Sequence, residues 1–412
     1  MRDRPQSPLI FLSAGEASGD HYGAALISDL RARFAQPAFF GLGGTEMAEA
    51  GLDRIVRAED VAVMGITEVI RHMPHIYREY RRLVASIKQR PPDVAILIDF
   101  PDVNLRLARE LKKLGVPVVY FVSPQLWAWK RRRLRWVQDR VDHMMVIFPF
   151  EETFYRSRGV HAQFVGHPLA DLPLPASSRN DYAARYNLDP AKPWIALLPG
   201  SRRKEVLLNL PEMLNAATRL SHGGSYQFIL PVASTLDDSF VRSFLRTPGR
   251  TAEIALVDDA REALHHARTS IVASGTATVQ AAVIGNPFVV VYRVSNLTYR
   301  AAKYLVRYPA EIPAPLDHYG NLPIAMVNLI AGRRIVPELI QERFTAENLV
   351  AALDPLLTNT LERERMIADL SEVRRKLRAS PGSNSIKQVC DTVELLLNRP
   401  ATNDGRIPSA RV

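Results

Sequence analysis

A chain of 412 residues exceeds what a single ordinary core organises, so two or three domains are expected. Hydrophobic residues make up 47% and charged residues 23%, which excludes a disordered chain. The lone Cys390 excludes an internal disulfide and a cysteine-built metal site, and it suits a reducing cytoplasm.

Basic residues outnumber acidic ones 53 to 43, a net charge of +10. Such an excess favours anionic partners: nucleic acid, phosphorylated metabolites or acidic lipid headgroups. No window reaches the roughly 18 apolar residues of a membrane span. The first apolar stretch is shorter than a signal h-region, so neither export nor threading through a bilayer is expected.

Along the chain, "PLIFLSAG" is strand-like and "HYGAALISDLRARF" helical, with Leu26, Leu30 and Phe34 four residues apart. "AFFGLGG", "VAILIDF", "VPVVYFVSP" and "HMMVIFPF" are further apolar runs, mostly followed by helical patterns. Strands apolar on both faces and separated by helices imply a parallel sheet covered on both sides. The Pro-, Asp- and Ser-rich stretch from Gly166 to Pro193 reads as a linker and domain entrance. A second series follows in "WIALLPGS", "YQFILPVAS", "AEIALV", "SIVASGT" and "PFVVVYRV". From Glu338 to Leu397 the pattern is helical, and residues 401–412 read as a disordered tail.

The expected fold is α/β, two Rossmann-like doubly wound domains facing across a cleft. The first spans 1–168 and is joined by return helices at about 378–400; the second spans 169–377. Ligand loops belong at the carboxyl ends of the strands.

In "VAILIDFPDVN" a buried strand ends at Asp99, with Asp102 three residues on. Asp102 follows Pro101 at the start of a helical pattern and is expected to cap it. Asp99 has no such structural reason and stands where open α/β sheets place ligands, so it is the chemical candidate. "SAGEASGD" is a glycine-rich turn, but Gly15 and Gly19 are four apart and miss the dinucleotide spacing. Its other reading is a tight connection capped by Asp20.

"LLPGSRRKEV" and "VASGTATVQ" each end a strand with Gly beside Ser or Thr and then open a helix. Such a helix start offers N–H groups and a positive dipole end to phosphate, and Arg202 adds a two-pronged donor. Ser201-Arg202 and Ser274-Gly275-Thr276 together suggest a diphosphate site. The ten histidines show no ligand spacing, so no metal site and no cofactor is expected. The basic segment 64–90, interrupted by Pro74, reads either as a helix packed on its own domain or as a membrane-facing one. "WAWKRRRLRWVQDR" reads by default as a solvated helix face.

Eight stretches in order, "GEASGD", "VMGITEV", "PPDVAILIDFPDVN", "VSPQLWAWK", "FPFEETFY", "LLPGSRRKEV", "ASGTATVQ" and "NLIAGRRIVPELIQ", resemble the lipid-A-disaccharide synthase family of GT-B glycosyltransferases. The resemblance implies a metal-independent, inverting hexosyltransferase. It would join UDP-2,3-diacylglucosamine to 2,3-diacylglucosamine 1-phosphate (lipid X) and release UDP. Asp99 matches the family's general base. Ser201, Arg202, Ser274, Gly275, Thr276, Gln280 and Asn328 match its donor side; Gly15, Glu16, Ser18, Gly19 and Asp20 form its first-domain cleft loop. Ile66, Val69, Ile70 and Met73 lie in the region matching membrane contact. The implied location is the cytoplasmic face of the inner membrane, on its anionic surface, with no nucleic acid as partner and a homodimer left open.

Two departures concern the donor side. Gln280 replaces a glutamate common in the family, and Met326-Val327 stands where Leu-Pro is usual. They leave room for a GT-B transferase of another UDP-sugar or lipid acceptor, and, further off, an inactive anion-binding homologue.

Overall fold

The computed structural model describes residues 7–61, 66–129, 131–221, 225–233, 235–246, 252–380, 382 and 384–398; for 66–73, 131 and 297 it describes the backbone alone. The chain divides into two compact units, Met1–Pro168 with Ala379–Val412, and Leu169–Arg378.

The first unit holds a seven-stranded sheet. Its strands are β1 (Leu9–Ala14), β2 (Ala38–Gly43), β3 (Leu52–Arg57), β4 (Val94–Ile98), β5 (Val118–Phe121), β6 (His143–Val146) and β7 (Ala162–Phe164). They lie in the order β3-β2-β1-β4-β5-β6-β7, every pair parallel. β1, β4 and β5 are buried almost throughout, as runs apolar on both faces require.

The second unit repeats the plan with β8 (Trp194–Leu198), β9 (Gln227–Pro231), β10 (Ile254–Val257), β11 (Thr269–Ala273), β12 (Phe288–Tyr292) and β13 (Glu338–Ile340). The order is β10-β9-β8-β11-β12-β13, again all parallel. In each sheet the strand order reverses beside the first strand, between β1 and β4 and between β8 and β11. Connections leave such a switch point toward opposite faces and open a crevice at the carboxyl edge.

Several expectations change. β3 was not expected, and β13 falls where the sequence pattern is helical; the helices Ala346–Leu357, Leu361–Lys376 and Ser385–Leu397 follow it. The stretch read as a linker contains the helix Arg179–Tyr186, capped by Ser178, whose Tyr182 is fully buried. Pro74 does not end its helix, which runs Ile66–Gln89. The tail 401–412 lies outside the described residues.

The last helix belongs to the first unit. Val389, Cys390 and Val393 are buried, and Arg33 of the helix Ala17–Arg33 pairs with Asp391 at 2.6 Å and Glu394 at 3.3 Å.

Candidate active site

The loops after β1 and β4 meet at the first switch point. Gly15 needs to be glycine: a Cβ there would sit 2.4 Å from the Phe100 ring. The glycine turn therefore packs directly on the Asp99–Phe100 corner. Both corner residues have left-handed backbone, φ 43° at Asp99 and 48° at Phe100, which costs a residue with a Cβ about 1–2 kcal/mol.

Hydrogen bonds to the corner's carbonyls offset that cost. Buried Asn104 donates from Nδ2 to the Asp99 carbonyl at 2.8 Å, with Ile98 and Ser13 carbonyls at 3.1 and 3.2 Å. Its Oδ1 accepts from Ser13 Oγ at 2.6 Å. Tyr120 Oη donates to the same Asp99 carbonyl at 2.6 Å, and the Asp99 N–H reaches Phe121 O at 2.9 Å. Asp99 itself is half-buried. Burial, then the charge of Asp99, raises the Tyr22 phenol to about 12, and the same two causes push Tyr120 well above 10. Both phenols stay protonated beside the aspartate.

The neighbouring acids are spent on the fold. Asp102 does not cap its helix, Pro101–Lys113: Pro101 takes the first helical position, so Phe100 is the cap residue. Asp102 is exposed and pairs with Arg133. Asp20 does not cap the helix Ala17–Arg33 but lies inside it, and its buried carboxylate accepts from the N–H groups of Gly44, Glu46 and Met47 at 2.7, 3.0 and 3.2 Å. It holds the start of the helix Thr45–Ala50. Glu16 and Ser18 are exposed, whereas Gly19 is buried against Ala14.

In the second unit both glycine loops lie at the switch point. After β8, Gly200 has φ 117°, and a Cβ there would meet Glu205 Oε2 at 2.3 Å. Glu205 Oε2 accepts from the N–H groups of Ser201 and Arg202 at 3.1 and 3.3 Å, and its Oε1 lies 3.3 Å from Arg202 Nη1. The donors expected to meet a diphosphate are therefore held by an internal carboxylate. A glutamate at the third helical position reaches back to the helix start as in a capping box. Asn209 and Thr235 fix the same loop through the carbonyls of Pro199 (2.9 Å) and Ser201 (2.7 Å).

After β11, Gly275 has φ 153° and no heavy atom within 4 Å of its Cβ position, so space is open there. Gly275 and Thr276 are exposed at the start of the helix Thr276–Ile284. Ser274 Oγ donates to Ile324 O at 3.3 Å.

Residues 10–391 match the lipid-A-disaccharide synthetase family. A lipid-A-disaccharide synthase of Acidobacterium capsulatum is 56% identical over 407 residues, covering 96% of this chain and 98% of that protein. This chain belongs to the lipid-A-disaccharide synthase family. The Koribacter versatilis lipid-A-disaccharide synthase is 48% identical, covering 91% and 95%. Solved structures similar in fold include the glycotransferase of kitacinnamycin (TM-score 0.63, 15% identity, 95% of this chain and all of that one). A calicheamicin glycosyltransferase is another, at TM-score 0.58 and 15% identity, with 96% and 100% coverage. The chain is thus an enzyme, a GT-B hexosyltransferase of lipid A biosynthesis.

Within this family member, Asn328 sits in an internal hydrogen-bond network. It is buried, with Nδ2 on Val336 O and Glu338 Oε1 (3.1 and 2.9 Å) and Oδ1 on the N–H groups of Ile335 and Val336 (2.8 and 3.1 Å). Both donor hydrogens and both acceptor sites of the amide are used within the unit, where they hold the 335–338 segment. Its partner Glu338, unnoticed in the sequence, also accepts from Ala325 N at 2.9 Å and pairs with Arg334 at 2.7 Å. Gln280 is half-buried on the helix Thr276–Ile284.

The tryptophan-rich segment is split in role. Trp127 is buried, donating from Nε1 to the fully buried Glu151 at 3.0 Å, while Trp129 is exposed. Burial raises Glu151 to about 8 against the opposing hydrogen bonds from Trp127 and the backbone. The side chains of Ile66, Val69, Ile70 and Met73 lie outside the described set. Among the described residues no group of three or more His, Cys, Asp or Glu could hold a metal, and no helix is long and apolar enough to cross a membrane.

Proposed function

We propose that the chain transfers 2,3-diacylglucosamine from its UDP derivative to the 6-hydroxyl of 2,3-diacylglucosamine 1-phosphate, with inversion at C1. The acceptor oxygen forms the new bond to C1 as the C1–O bond to UDP breaks. The electron pair leaves with the diphosphate, and the hydroxyl proton passes to Asp99. General-base assistance of this kind contributes roughly 10²–10⁴ in rate. Arg202, once turned from Glu205, and the N–H groups at Gly275 and Thr276 balance the charge growing on UDP.

The observation that carries this reading is the fixed left-handed corner at Asp99, at a sheet's switch point. Family membership supports the substrates, and two diacylated lipids support work at the cytoplasmic face of the inner membrane, with the 66–73 segment against the bilayer. The test is UDP release by purified protein in metal-free detergent. Release that requires both lipids together supports the reaction. Folded protein that binds UDP yet releases none rules out these substrates.

A further inference from the structure

In the transfer proposed above, on which this inference rests, the acceptor carries a phosphate on the sugar whose 6-hydroxyl meets Asp99. The 6-hydroxymethyl group and the 1-phosphate stand on the two carbons that flank the ring oxygen. A cation for the phosphate therefore belongs one sugar ring from the base. The loops at the carboxyl edge of the first sheet narrow the choice. Residues 15–20 after β1, 99–102 after β4, 147–150 after β6 and 165–168 after β7 hold no lysine or arginine. The loop after β5, 122–133, ends in Lys130, Arg131, Arg132 and Arg133.

Among the described side chains of that group, Arg133 is held at the Asp99 corner. Its Nη2 donates to Asp102 Oδ1, and Asp102 stands three residues after Asp99 in the first turn of the helix Pro101–Lys113. Asp99 adjoins the start of the same β5 loop, with its N–H on Phe121 O at 2.9 Å. The Tyr120 phenol, which donates to the Asp99 carbonyl, feels all three charges. Burial raises it most, then the charges of Asp99, Tyr155 and Asp102, while Arg133 lowers it.

The pair with Asp102 is not sealed in the core. The Asp102 side chain is 63% exposed and that of Arg133 21%, so the guanidinium is fixed in place yet within reach of solvent. The Trp136 ring, 5.7 Å from the guanidinium carbon, flanks the planar group. The hydrogen bond to the carboxylate uses Nη2, and the remaining N–H groups of the fork can pair with two phosphate oxygens at once.

We propose that Arg133 grips the 1-phosphate of the acceptor sugar, with Asp102 holding the guanidinium in place, so that the 6-hydroxyl is presented to Asp99. Arg133 then selects the acceptor, and the donor diphosphate is left to the second unit's loops at Ser201-Arg202 and Ser274–Thr276.

The test is steady-state UDP release by wild type, Arg133→Gln and Asp102→Asn, with 2,3-diacylglucosamine 1-phosphate or 2,3-diacylglucosamine as acceptor. Wild type should show an acceptor KM about tenfold or more higher when the phosphate is missing. Arg133→Gln should raise KM by that factor for the phosphorylated acceptor and lose the preference, with donor KM and thermal melting unchanged. Asp102→Asn keeps an oxygen for Nη2 and should retain most of the preference. Wild type that uses both acceptors equally well overturns the proposal, as does Arg133→Gln that penalises both alike. A fall in kcat shared by Arg133→Gln and Asp102→Asn, with the preference intact, marks a structural ion pair and also overturns it. Wild type that binds UDP but turns over neither acceptor fails the transfer reading itself, and this assignment falls with it.

Discussion

At Asp99 a catalytic proposal meets a measurable backbone cost. Asn104 and Tyr120 both donate to its carbonyl, and without them the corner is expected to relax toward extended conformations and carry the carboxylate with it. Tyr120→Phe removes one bond with little change in shape. It should lower stability by about 1 kcal/mol and turnover by about tenfold, while UDP affinity stays the same. Asn104→Ala leaves the Ser13 hydroxyl and several carbonyls short of partners and should cost about 2–4 kcal/mol in denaturant unfolding. The sequence singles out Asp99 as a candidate because a buried strand ending in an acid has no packing reason. Asn104 is not singled out, since an asparagine in an amphipathic helix reads as surface. Tyr120, inside an apolar run, reads as core.

Among the elements, acids near the loops divide between chemistry and capping, and sequence alone does not separate them. Asp20, Glu205 and Glu338 each collect backbone N–H groups. Asp20→Ala should destabilise the first unit by about 1–3 kcal/mol, read from the urea midpoint. Local sequence predicts a cap at Asp102 and, in one of two readings, at Asp20; the groups that Asp20 does cap lie 24 to 27 residues away, a separation that no local pattern shows. β13 was missed because three residues give no period to recognise.

Glu151 adds a pH dependence. Its folded value of about 8 lies above the ordinary 4.5, so the folded state holds the proton more tightly. That contribution is full below about pH 4.5 and is lost as pH rises through about 8. Glu151→Gln should therefore melt with a smaller loss of stability between those limits than wild type, and an equal loss would contradict the burial argument.

For the whole molecule, the parallel α/β class followed from apolar runs alternating with helical periods, because strands buried on both faces carry that signature wherever they lie in the order. Which strand neighbours which could not be read from the chain, and with it the two switch points. The closing helix Ser385–Leu397 packs on the first unit through Val389, Cys390 and Val393 and through the Arg33 pairs. Truncation after Arg378 should uncover this face and lower the melting temperature or the solubility of the protein. Equal melting and solubility would show that the helix adds nothing to the unit.

The central claim is that Asp99 accepts the proton in a lipid-to-lipid sugar transfer. The most direct measurement compares wild type with Asp99→Asn for UDP release from UDP-2,3-diacylglucosamine plus lipid X, with UDP affinity measured on the same preparations. A fall of at least about a hundredfold in turnover, with UDP affinity unchanged, is the predicted result. Turnover within a few-fold of wild type would contradict it and move the base to another residue.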